Sequence, residues 1–244
     1  MGRMGAIARA VITDSLRRQV IYVVLLFAAV MTAVIPSLPN YDLGMETGVF
    51  REFALALVYV AAVVTALALA ANRIPGEAER RTVYSILGKR VARWEYVVGT
   101  WLGMLGVMAG LIAAFTAIVQ VVAFFTYKDP MWVMWLGALA MILEMGVVLA
   151  LAIAISTRFG PVVVAVATLA GLFIGHSRST LVGGLGAVDL KPFYPSLDAF
   201  NIVMPVSYGG GVAPVYVLAM IVVFVGLSGA LLTLGVLFMQ RRDL

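Results

Sequence analysis

The sequence predicts an all-α integral membrane protein, and three observations carry that expectation. Of the 244 residues, 63% are hydrophobic and only 12% charged, against about 25% charged in a soluble domain. Mean hydropathy is +1.07. Uncharged apolar runs recur at the length of about 20 residues that a helix needs to cross a bilayer. The net charge of +5 is then expected to mark basic residues kept on the cytoplasmic side, not a nucleic-acid surface. Cysteine is absent, which excludes disulfides, thiolate metal sites and a cysteine nucleophile.

Taken in order, residues 4–18 place Met4, Ile7, Ala8, Val11, Ile12 and Leu16 on one helical face and Arg9, Thr13, Asp14, Arg17 and Arg18 on the other. That separation predicts an N-terminal elbow helix lying in the membrane interface. No small-residue cleavage site follows the first apolar run, so the expectation is a retained first span and not a signal peptide. Spans are expected at 19–38, ended by Pro36 and Pro39, and at 53–72. Residues 96–126 form a third, longer than a bilayer requires. The turn Thr126–Pro130 leads to a fourth at 131–155, and the link Ser156–Pro161 to a fifth at 160–175. Residues 176–212 are rich in glycine, proline and aromatic residues. They are too broken to span and too apolar for a free loop, which predicts external re-entrant or interfacial helices packed on the bundle. The sixth span is 213–239.

Charge sets the expected orientation. With the N-terminus inside and six spans, thirteen of the 17 basic residues fall inside and only Arg51, Lys128, Arg178 and Lys191 outside. The positive-inside rule then gives both termini in the cytoplasm. No inverted-repeat symmetry is visible between the halves, which weighs against a single-chain secondary transporter.

Few residues offer chemistry. The only Gly-Lys pair, Gly88-Lys89, has Val83 five residues before the glycine and Arg90 after the lysine. It is not a Walker A loop. The single histidine, His176, stands beside Ser177 and Ser179. Adjacent residues in a glycine-rich segment do not make a hydrolase site, and one histidine without cysteine is too little for a soft-metal site. No catalytic, cofactor-binding or metal residue is therefore assigned. The one ionisable side chain in mid-span is Glu144, flanked by Met141 and Met145, which are expected to be packing residues. Burying Glu144 costs at least a few kcal/mol unless it is paired or wetted. The expectation is the bundle interior, a dimer seam or a wet path, with Gln120 of the third span as a candidate partner.

The longest polar interruption is 73–100. It holds six basic residues and the acids Glu77, Glu79 and Glu95. Pro75 suits a helix start, Glu77 and Glu79 suit its positive end, and Gly88 suits its stop. Thr82, Val83, Tyr84, Ile86 and Leu87 give an apolar side. A loop that only fixed topology would not need that side, so a cytoplasmic partner is expected to dock here.

The segment Glu79–Gly103, ERRTVYSILGKRVARWEYVVGTWLG, resembles the motif after the second span of ABC-2-type transporter permeases. The nearest branch looks like permeases associated with maturation of multicopper enzymes such as nitrous oxide reductase. Glu79, Arg80, Arg81, Thr82, Leu87, Lys89, Arg93, Glu95 and Gly99 fit that pattern. Arg90 departs from it, where proline is usual, and so does Thr100, where lysine is common. Tyr194–Gly209, YPSLDAFNIVMPVSYG, resembles the segment before the family's last span, and the RRDL tail also fits. The resemblance implies the type V exporter fold, with 75–93 as a coupling helix region. Glu77, Glu79, Arg80, Arg81, Thr82, Tyr84, Leu87, Lys89, Arg90 and Arg93 would then face a separate ATPase subunit, which would hold the ATP and magnesium. It also implies a homodimer of the permease in the inner membrane, and export or mechanical signalling to a periplasmic partner. From another class, the same loop suits a non-transporting scaffold that recruits a cytoplasmic partner.

Overall fold

The computed structural model describes residues 3–18, 26–27, 30, 46–79, 92–177, 196–208 and 210–240. Every regular element among them is helical. In chain order these are α1 (Arg3–Arg18), α2 (Glu46–Glu79), α3 (Arg93–Tyr127), α4 (Met134–Ser156), α5 (Pro161–His176), a 3-10 turn (Asp198–Phe200), α6 (Val203–Ser207) and α7 (Pro214–Gln240). Four of the helices carry stretches long and apolar enough to cross a membrane: Thr47–Ala70 of α2, all of α3, all of α4 and all of α7. The chain is a multi-pass, all-helical membrane protein. Helices are what a bilayer allows, because each one satisfies its own backbone N–H and C=O groups away from water.

Helix α4 lies at the centre, packed on by α2, α3, α5 and α7. Leu149, Met145 and Ile153 are fully enclosed there, as are Phe115, Met108 and Ile112 of α3. The expected span 19–38 lies outside the described residues except Leu26, Phe27 and Val30. Of these, Phe27 stacks on Phe115 with ring centroids 4.3 Å apart.

Helix α2 departs from its expected bounds, and α5 keeps the expected length. Helix α2 begins at Glu46, not at Phe53, and continues through Pro75 to Glu79. Pro75 therefore does not open a separate helix. It removes one hydrogen bond from a helix already propagated by a long apolar run, whose costly nucleation lies far behind it. Helix α5 has 16 residues, the length expected of the fifth span. That is about 24 Å of rise against a hydrocarbon core of about 30 Å. Its rise is therefore shorter than that core, and its last residue, His176, reaches Glu144 of α4.

At 35 residues, α3 rises about 52 Å and exceeds the core by about 20 Å. Its first turns are covered by α1. Ile7 sits against Gly99, Val11 against Gly103 and Ile12 against Gly106. Both chains advance together, so α1 runs alongside α3 instead of across it. The glycines permit the approach: a Cβ on Gly103 would stand 2.6 Å from the Val11 Cβ and 2.9 Å from the Ala8 carbonyl oxygen.

At the far end of α3 the chain reverses through Lys128 and Met131, both with positive φ. The Asp129 carboxylate accepts a hydrogen bond from the Met131 N–H and an ion pair from Arg51 of α2 at 2.9 Å. Arg51 also donates to the Ser207 carbonyl of α6. One guanidinium thereby ties the start of α2, the α3–α4 turn and α6. Of the expected external region, residues 178–195 lie outside the described residues. The part from 196 to 207 packs on the bundle through Leu197, Phe200, Ile202 and Val206, all buried.

Replacing Gly103 by valine is expected to lift α1 from α3 and destabilise the purified protein by about 1–3 kcal/mol, the range for overpacking. Denaturation in mixed micelles measures it, with Gly110→Val, where a Cβ meets nothing within 4 Å, as the neutral control.

Candidate functional site

Glu144 projects from the middle of α4 and is 2% exposed. A carboxyl group at that depth needs polar company. It comes from two other helices. The Tyr59 hydroxyl of α2 donates to Glu144 Oε1 at 2.7 Å. His176, the last residue of α5, brings Nε2 to 3.6 Å from the same oxygen. The Tyr59 and His176 rings meet edge-on with centroids 6.0 Å apart. On its other side, His176 Nδ1 lies 3.4 Å from the Leu172 carbonyl oxygen one turn back.

The short α5 explains how these groups meet. Helix α4 ends at Ser156 and α5 starts at Pro161, so the two run antiparallel from a tight link. Glu144 lies 12 residues before that end, about 18 Å along the axis. His176 lies 15 residues after the start of α5, about 22 Å along it. The histidine therefore arrives level with the carboxyl. Its neighbour Gly175 receives Leu197: the Leu197 N–H donates to the Gly175 carbonyl at 3.2 Å. The Leu197 side chain fills the space where a Cβ on Gly175 would stand, 2.7 Å from it. The strand of chain before the 3-10 turn thus closes on the end of α5.

This arrangement corrects one expectation. Gln120 is not the partner of Glu144; its side-chain oxygen accepts a hydrogen bond from the Trp135 indole at 2.9 Å, nearer the start of α4. Met141 and Met145 are both buried in the core. Among the residues expected to face an ATPase, Arg80, Arg81, Thr82, Tyr84, Leu87, Lys89 and Arg90 lie outside the described residues. Glu77 and Glu79 are placed only as backbone, in the last turn of α2. Arg93 is fully placed. Its guanidinium donates to the Met239 and Gln240 carbonyls, at 2.7 and 3.0 Å. A cation on unpaired carbonyls at a helix C-terminus is a favourable cap, and this one joins α3 to α7.

Sequence reasoning found Glu144 but neither of its partners. Tyr59 is one aromatic residue in a long apolar run, and its one signal is that a buried phenol hydroxyl needs an acceptor. His176 was expected just beyond the fifth span, as the first residue of the external region 176–212, and is instead the last residue of α5. No protein family and no curated protein matches the chain, so the site stands on its geometry.

A double-mutant cycle on Tyr59→Phe and Glu144→Leu, which removes the acceptor that glutamine would keep, is expected to give a coupling of about 0.6 kcal/mol and at most about 1.7 kcal/mol, the average and the maximum measured for such bonds between membrane helices. Unfolding in mixed micelles reads it. Additive single effects would show that the 2.7 Å contact contributes nothing.

Proposed function

We propose that the chain is the membrane subunit of an ABC-type exporter, one half of a homodimeric core in the cytoplasmic membrane, driven by a separate ATPase subunit through residues 75–93. The sequence support is the resemblance of 79–103 and 194–209 to ABC-2-type permeases. The observation that carries the reading is the Arg93 cap. The polar connection 80–91 leads into α3, whose first turn is joined by Arg93 to the last turn of α7 and whose glycines seat α1. A push on that connection would reach three helices as one body.

In this reading both termini are cytoplasmic and six spans cross. ATP binding closes the ATPase pair, and 75–93 moves with it. The movement runs along α3 to the far face, where Arg51 holds α2, the α3–α4 turn and α6 together. The output is either cargo crossing the membrane or force delivered to a partner on the outer side.

Copurification with an ATPase encoded beside it, followed by hydrolysis assays in nanodiscs, tests the reading. The permease is expected to change the hydrolysis rate. Glu79→Ala combined with Leu87→Ala is expected to abolish that change, and Arg93→Ala to reduce it several-fold while the complex still forms. A complex whose hydrolysis rate ignores the permease would instead identify a recruiting scaffold. Topology is read separately. The chain has no cysteine, so single substitutions report cleanly: Arg90→Cys is expected to label only from the cytoplasm and Lys128→Cys only from outside.

A further inference from the structure

The His176 imidazole stands between two acceptors. Nε2 lies 3.6 Å from Glu144 Oε1, and Nδ1 lies 3.4 Å from the Leu172 carbonyl oxygen. The first separation is within the reach of about 4 Å that an ion pair spans. A neutral imidazole has one N–H. With the carboxyl ionised, either tautomer leaves one ring nitrogen as a lone pair facing an acceptor. The mismatch disappears once the pair holds one more proton, in either of two places. On the ring, both nitrogens donate, one to the carboxylate and one to the carbonyl. On the carboxyl, the O–H donates to Nε2 and the Nδ1–H to the carbonyl. Both arrangements hold the same number of protons, so the tautomer of the neutral ring does not enter the count.

The two partners differ in access. The His176 side chain is 25% exposed and the Glu144 side chain 3%. The Tyr59 hydroxyl donates to Glu144 Oε1 at 2.7 Å, and a phenol keeps its proton at neutral pH. Among the described residues no other charged group meets the pair. Helices α3 and α7 bring the uncharged Trp101 and Phe224 beside Gly146, two residues further along α4. The chain over the end of α5 brings Asp198, whose carboxylate faces the Ser196 hydroxyl at 3.5 Å.

We infer that Glu144 and His176 form a proton-exchange site half-way along α4, at which the imidazole passes protons between water and the buried carboxyl. Water protonates the free ring nitrogen. The Nε2–H bond then breaks as an O–H bond forms on Oε1, which leaves the ring neutral and the carboxyl uncharged. Release runs the same steps backwards. Tyr59 holds Oε1 in place and stays protonated throughout. Carboxyl and histidine side chains within membrane helices are the groups from which proton relays are built. The site lies apart from 75–93 and does not depend on the chain's having an ATPase partner.

The experiment uses the full chain in nanodiscs, purified without a histidine tag. His176 is the only histidine, so isotope labelling of histidine ring nitrogens reads this site alone by magnetic resonance. Both nitrogen signals are expected to change reversibly with pH, within about two units of the ordinary imidazole value of about 6.5. Glu144→Gln, which keeps the polar shape and cannot take the proton, is expected to move the midpoint by at least about one unit. Infrared difference spectra across the titration are expected to show the Glu144 C=O band, identified by its loss in that variant. On transfer to heavy water the band is expected to shift within the mixing time in the wild type. In His176→Gln it is expected to shift at least about 100-fold more slowly, the lower end of what a positioned proton-transfer group contributes. Size-exclusion profiles confirm that each variant is folded, and should Glu144→Gln fail to fold, Glu144→Asp, which draws the carboxyl back by one methylene, is read in its place. Ring signals that stay fixed over that range, a midpoint that ignores Glu144, or a carboxyl that never shows the band overturns the site. So does exchange as fast in His176→Gln as in the wild type, since protons would then reach Glu144 by another way.

Discussion

A carboxyl group set among apolar side chains must be met by other polar groups, and three helices of this protein are arranged around that need. Glu144 stands on α4, the helix the others pack on. Tyr59 reaches it from α2 and His176 from α5. An unmet buried polar group costs about 1–3 kcal/mol, and a charged one more. Hydrophobic burial does not drive helix association inside a bilayer, where the lipid is as apolar as the helices. Polar contacts and close packing must hold the bundle instead. Alongside the Tyr59–Glu144–His176 group, the Trp101 indole of α3 donates to the Gly146 carbonyl of α4 at 2.9 Å. Two polar ties thus meet α4 within three residues of its length.

Helix length is the second constraint, and it acts in opposite directions on α3 and α5. The surplus length of α3 gives α1 a surface to follow and sets Arg93 where the end of α7 can be capped. Helix α5 ends at His176 beside Glu144, and the chain around Leu197 packs over that end.

These two helices also explain how far the sequence could be read. The all-helical membrane class followed from composition alone, because a low charge content and long apolar runs have few other solutions. Glu144 was legible as the one charge in mid-span. The seat of α1 was half legible: its apolar stripe is plain in Ile7, Val11 and Ile12, but nothing local says that Gly99 and Gly103 receive it. The partners of Glu144 were not legible. They lie 85 residues before it and 32 after it in the sequence, and only the packing of α2 and α5 on α4 brings them to its level. Pro75 misled for a related reason. Its local signal favours a helix start, and the propagating helix before it overrode that signal.

The two ends of the structure are joined by contacts that can be followed residue by residue. Arg93 caps α7; Phe224 of α7 stacks on Trp101 of α3 at 5.9 Å; Trp101 holds the Gly146 carbonyl; and Gly146 is two residues beyond Glu144. Contiguity of this kind does not by itself transmit anything, since a coupling needs an element with two arrangements. The Arg93 cap and the Trp101 contacts tie α3, α4 and α7 to one another, so a displacement of α3 would have to carry the other two with it or break those bonds.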